Sequence, residues 1–88
     1  MGVVGIALAQ GNNNLPRVLQ VLPGSSAEKA GVNPGSIILS IDGIYTTGKS
    51  VAESVGMIQG RDGTTVTLEV IDPAKSGTNK VILKRVKR

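Results

Sequence analysis

The sequence predicts an α+β fold of five to six mostly antiparallel strands with two helices. Three observations lead there. β-branched runs alternate apolar and polar residues, two stretches carry serine caps at helical spacing, and glycine, proline, asparagine and aspartate punctuate the chain between them. The resulting order is strand, strand, short helix, strand, longer helix, strand, strand.

The chain opens on Gly2-Val3-Val4-Gly5. Glycines there permit backbone angles that bring successive N–H groups to one side of a loop, which makes an anion site. Ile6 to Ala9 reads as a short strand with Ile6 and Leu8 on one face, and Gln10 to Asn14 as a polar turn. Arg17 to Leu22 is a second strand, ended by Pro23-Gly24 and expected to pair with the first as a hairpin. Ser25 to Gly31 has a serine N-cap, a helix-forming middle and a glycine stop. After the Asn33-Pro34-Gly35 turn, Ser36 to Ile41 is a β-branched strand closed by the hairpin dipeptide Asp42-Gly43.

Ser50 and Glu53 stand at capping-box spacing and open a helix that runs to about Gln59 and stops at Gly60. Val51, Val55 and Ile58 fall on one stripe of it. Gly56 inside the helix costs about 1 kcal/mol relative to Ala, so tertiary packing must hold this element. Thr64 to Ile71 is the clearest strand, with Val66, Leu68 and Val70 on one face and Thr65, Thr67 and Glu69 on the other. Asp72 to Asn79 reads as a long polar turn, and Lys80 to Val86 as the last strand.

Eighty-eight residues are expected to form a single domain, 1–88. Its core must be aliphatic, because Trp and Phe are absent and Tyr45 is the only aromatic residue. The absence of Cys and His excludes disulfides, thiol chemistry and a His-based nucleophilic triad, and removes the usual zinc ligands. No cofactor is expected. The net charge of +4 belongs to the end of the chain: Lys84, Arg85, Lys87 and Arg88 are basic, and the remainder balances six basic against six acidic residues. Such an end reads as a solvated strand. Without interleaved aromatics for base stacking, nucleic acid is not an expected partner. No apolar run reaches the roughly 18–20 residues of a membrane span, so no direct membrane insertion is expected. The start lacks the basic and apolar regions of a signal peptide, and Met1 directly before the loop suggests a domain taken from a longer protein.

Two motifs invite enzymatic readings. Gly43-Ile44-Tyr45-Thr46-Thr47-Gly48-Lys49-Ser50 satisfies the phosphate-binding P-loop pattern between a strand and a helix. A P-loop domain also needs several parallel strands joined by crossover helices, and only one helix is available for that. Ser26-Ala27-Glu28-Lys29 matches the S-x-x-K pair of penicillin-recognising enzymes, but their companion motifs are missing. Both read better as capped helix starts.

The run Val21-Leu22-Pro23-Gly24-Ser25-Ser26-Ala27-Glu28-Lys29-Ala30-Gly31, continuing through Val32-Asn33-Pro34-Gly35-Ser36-Ile37-Ile38-Leu39-Ser40-Ile41-Asp42-Gly43, resembles the signature of PDZ domains. Ser26 and Ser36 depart from the family's usual Pro and Asp, at positions that are surface turns in the family. Val51 to Gly60, followed by Gly63-Thr64-Thr65-Val66-Thr67-Leu68, is most similar to the PDZ domains of bacterial and plastid C-terminal processing (tail-specific) serine proteases. The resemblance implies a partly open barrel whose last strand fills the edge place of an N-terminal strand. It also implies a peptide-recognition module without a catalytic domain of its own, a protease as the parent protein, and a periplasmic or thylakoid-lumen setting. A scaffold module without a protease is the alternative. The implied site has three parts. Val4, Gly5 and Ile6 would present N–H groups to a peptide's terminal carboxylate. Ala7 and Leu8 would pair with the peptide as an added strand, and Val51, Val55 and Ile58 would wall the groove. Val51 stands where histidine-bearing relatives select Ser or Thr, so the implied partners are C-terminal peptides with apolar or small last residues.

Overall fold

The computed structural model describes residues 2–11, 15–73 and 77–87. Its elements are β1 Gly2–Val3, β2 Ile6–Gln10, β3 Pro16–Val21, α1 Ser26–Lys29, β4 Ile37–Ile41 and β5 Ile44–Tyr45, then α2 Val51–Ile58, β6 Thr65–Ile71, β7 Thr78–Lys84 and β8 Val86–Lys87. The main sheet has the order β2-β3-β4-β6-β7, with β5 paired to β4. β1 and β8 form a separate antiparallel pair that places Gly2 opposite Lys87 and Val3 opposite Val86. Every strand pairing among the described residues is antiparallel, so the P-loop-like stretch lacks the parallel sheet that a phosphate loop requires.

β6 shows how local pattern becomes core. Val66, Leu68 and Val70 are buried, and Leu83 and Val81 of β7 stand directly opposite Val66 and Leu68. The sheet face closes on Val18, Ile38 and Ile41 and, from the helices, Ala27 and Ile58. The apolar part of the core is aliphatic, as the composition requires, with Ser36, Ser40, Thr46 and Ser54 buried beside it. Asp42 and Gly43 take positive φ angles of 51° and 82° and reverse the chain between β4 and β5, the conformation of a two-residue hairpin turn.

Several expectations shift. The last strand is broken at Arg85 into β7 and β8, and the opening loop contributes the short strand β1. The polar turns expected at Gln10–Asn14 and Asp72–Asn79 lie partly outside the described residues (12–14 and 74–76), and β7 already begins at Thr78. Ser36 is not a surface-turn residue. It is fully buried, and its hydroxyl has no partner among the described residues. Ser26 is half-buried, and its hydroxyl donates to the Lys84 carbonyl at 2.5 Å, tying α1 to the end of β7.

The basic end of the chain is not simply solvated. The Arg85 side chain is only 11% exposed. Its Nε donates to the Ile58 carbonyl at 2.8 Å and one terminal nitrogen to the Met57 carbonyl at 3.2 Å, at the C-terminal end of α2. The other terminal nitrogen reaches the Thr64 hydroxyl and the Thr65 carbonyl, both at 3.1 Å. A cation there meets the partial negative charge of unsatisfied helix carbonyls. The guanidinium needs space, and two glycines supply it. Gly2 and Gly60 bond each other's backbone, N–H to carbonyl at 2.6 and 3.2 Å, with Arg85 lying across them. A Cβ on Gly60 would stand 2.8 Å from Arg85 Nε, and one on Gly2 would stand 2.8 Å from Arg85 Cβ.

Candidate functional site

The site begins at Gly5. With φ at +84° it turns the chain from β1 into β2, and a Cβ there would collide with Ser25. Ser25 is itself fixed as the N-cap of α1, accepting from the Glu28 N–H at 3.2 Å. Two bonds hold the loop. The Ala27 N–H donates to the Val4 carbonyl at 3.1 Å and the Leu22 N–H to the Gly5 carbonyl at 2.9 Å. A trans peptide points its carbonyl and the following N–H in opposite directions. With no cis bonds in the described chain, these contacts turn the Gly5 and Ile6 N–H groups away from α1 and β3.

The β2–β3 ladder agrees. Because Leu22 bonds Gly5, the Ile6–Val21 pair is a wide, non-bonded one, and the polar groups of Ile6 face away from β3. β2 is the edge of the main sheet, so that side has no strand neighbour among the described residues. α2 packs beside it instead. Between them lies a cavity of about 190 Å³, lined by the loop and strand residues 3–8, by Leu22, and by Val55, Ile58 and Gln59 of the α2 side.

The cavity therefore brings together Val4, Gly5, Ile6, Ala7, Leu8, Val55 and Ile58. Val51 is not among its lining residues. Half-buried, it sits four residues before Val55, about 6 Å along the helix. Ile58 serves both sides, as it belongs to the core and to the cavity wall. Leu22 and Gln59 were not anticipated. The apolar end of β3 before Pro23-Gly24 was a usable signal for Leu22; for Gln59 the only hint was its place at the helix end, where it is the C-cap. Its amide is the one polar side chain among the lining residues.

The other wall is positioned by the start of α2. Ser50 and Glu53 close the full capping box, with both bonds at 3.0 Å. The Glu53 carboxylate is held below its ordinary value of 4.5, first by the Ser50 N–H it accepts from, then by the Ser50 hydroxyl and more weakly by Lys49. Ser54 on the core side of α2 is fully buried, with a hydroxyl that has no partner among the described residues. No group of three or more metal-ligating side chains occurs among the described residues.

A sheet with an open edge strand, a helix laid beside it and a glycine turn closing one end leave a groove between β2 and α2. The PDZ domain family model matches residues 17–72, more than half of the chain, and the chain belongs to this family. The carboxyl-terminal-processing protease of Picosynechococcus sp. is 40% identical over 72 residues, which cover 78% of this chain and 17% of that protein. The chain thus spans under a fifth of that relative's length. Among solved structures, the photosystem II D1 C-terminal processing protease superposes with a TM-score of 0.89 at 29% identity, over 99% of this chain and 23% of the other. The HtrA3 PDZ domain bound to a phage-derived ligand shares the fold, with a TM-score of 0.77 at 16% identity over 97% of this chain and 85% of that one.

Proposed function

We propose that this domain captures apolar C-terminal tails of proteins by strand addition, as the substrate-recognition or regulatory part of a C-terminal processing serine protease. The observation that carries the reading is the orientation of the Gly5 and Ile6 N–H groups, turned outward at the end of an apolar cavity. Preorganised donors of this kind bind a carboxylate. An extended chain leaving that end would run along the free edge of β2 and form main-chain bonds with it.

The cavity supports a single side chain rather than a small-molecule ligand. Its volume of about 190 Å³ falls below the roughly 300–1,000 Å³ of sites for drug-sized compounds. Val55, Ile58, Ile6 and Leu8 favour a last residue such as Ala, Val or Leu. Val51, one turn away, is in reach of the residue two before the terminus, since two extended residues span about 6.8 Å. An apolar contact there places no demand for a hydroxyl. The resemblance to two processing proteases supports the placement in a protease.

NMR titration with short free-acid peptides ending in Ala, Val or Leu tests the binding mode. Amide shifts should concentrate at Val4 to Leu8 and Val55 to Gln59; shifts confined to other surfaces would refute it. The placement in a protease is checked separately by sequencing beyond Arg88, where a Ser/Lys catalytic domain is expected.

A further inference from the structure

The main sheet has a second open edge, on β7, at the opposite side from β2. Its orientation follows from bonds at its end. Arg85 donates its N–H to the Thr64 carbonyl and accepts from the Gly63 N–H, so Arg85 faces the β6 side. Alternation then turns the polar backbone groups of Lys84, Ile82 and Lys80 outward. The Ser26 hydroxyl on the Lys84 carbonyl confirms that direction and uses up one of those acceptors. Nothing among the described residues pairs with the outward backbone of Lys80 and Ile82.

The side chains along this edge have a distinct chemistry. Lys80, Ile82 and Lys84 are exposed on one face, with Ile82 at 66%. A cleft of about 650 Å³ lies against the edge, where Ala30, Ile82 and Val86 supply apolar surface and Lys29 and Lys84 supply charge. Two acidic groups of the flanking elements already accept hydrogen bonds. Glu28 accepts from the Gly24 N–H at 2.8 Å, and Glu69, opposite Lys80, accepts from the Ser40 hydroxyl at 2.7 Å.

We propose that the β7 edge is a second docking surface, which takes an extended acidic segment with carboxylates two residues to either side of an apolar residue. The segment would add as a strand outside β7. Its main chain would pair with Lys80 and Ile82, its apolar side chain would cover Ile82, and its carboxylates would meet Lys80 and Lys84, with Lys29 beside them. Charge decides the partner. Lysines on an edge strand repel a second copy of the same edge, which is how such edges avoid self-association. The same lysines attract a strand of opposite sign, where cross-strand charge pairs stabilise and like charges oppose. This surface is separate from the β2 groove and needs no free carboxyl terminus.

The test uses a capped peptide, acetyl-Thr-Glu-Thr-Val-Thr-Glu-Thr-amide, which puts Val between two Glu on one strand face and has no terminal carboxylate for the Gly5 loop. In an NMR titration at low salt, shifts are expected at Lys80, Ile82, Lys84 and Lys29, with Val4 to Leu8 unmoved, and binding should weaken as ionic strength rises. The double substitution Lys80→Glu and Lys84→Glu should weaken binding about tenfold, while the matching peptide with Lys in place of Glu should bind the variant better than the parent chain. Far-UV circular dichroism checks that the variant is folded. Shifts at Val4 to Leu8 instead, salt-independent binding, no binding to the parent chain, or self-association of the chain through β7 in sedimentation would each overturn the proposal.

Discussion

Replacing Arg85 with Ala removes the side chain that joins the end of α2 to the start of β6. The loss can be sized from its contacts. Bonds from a charged donor contribute about 1.5–3 kcal/mol each when one partner is deleted, but four on one guanidinium are not additive. The two at the helix end matter most, since Ile58 and Met57 would keep carbonyls with no substitute donor in place. Asp42, half exposed and 4.0 Å away, adds little. A total of about 3 kcal/mol is a large share of the 5–15 kcal/mol of a typical domain. It corresponds to a fall in Tm of about 15 °C for a chain of this size. Arg85→Lys should recover only part of this, because one ammonium cannot span the Ile58, Met57 and Thr65 carbonyls together. Urea and thermal unfolding followed by circular dichroism would measure both. Gly60→Ala provides a cross-check: its Cβ meets the guanidinium, so its cost should shrink in the Arg85→Ala background. If Arg85→Ala costs under 0.5 kcal/mol, as a solvated surface residue would, the clamp reasoning fails.

Three further outcomes follow from single contacts. Ser54→Ala should raise stability by about 1 kcal/mol, because it deletes a buried unpaired hydroxyl and improves helix propensity; a loss in urea unfolding would mean that the hydroxyl has a partner. Gly5→Ala should cost about 2 kcal/mol more than Gly24→Ala, since both glycines have positive φ but only Gly5 meets a neighbour there; equal costs would show that the Ser25 contact is relaxed. Glu53 has its pKa lowered in the folded state, so the cap's contribution is present above the ordinary carboxylate value of 4.5 and is lost as pH falls through the lower folded value. An NMR titration of the Glu53 carboxyl should show that lowered value moving part of the way back up in Ser50→Ala, which removes the hydroxyl but keeps the Ser50 N–H, and an unmoved value would mean that the hydroxyl takes no part.

What the sequence revealed was mostly what local pattern decides. The two-residue alternation of Val66, Leu68 and Val70 fixes which face of β6 is buried, and Ser50 with Glu53 fixes a helix start from adjacent residues. β1 and β8 are invisible at that level, because each consists of two residues defined by distant partners, the other strand some eighty positions away and, for Gly2, also Gly60. Arg85 misleads for the same reason. Its neighbours in the chain are basic, while its bonded partners lie twenty or more positions upstream. The loop and the helix stripe of the site were legible, yet the rotation of α2 is set by packing. That rotation puts Val55 and Ile58 in the cavity, Ser54 in the core, and Val51 outside both.

Whether the Gly5 loop holds a carboxylate is decided most directly by one paired measurement. Calorimetric titration of two peptides of identical sequence ending in Val, one a free acid and one amidated, isolates the terminal charge. The free acid should bind with Kd on the order of micromolar, as expected for a short peptide that must be ordered on binding. The amide should bind at least about tenfold more weakly, for loss of a charge-assisted contact to the loop donors. Equal affinities would mean that Gly5 and Ile6 do not receive a carboxylate.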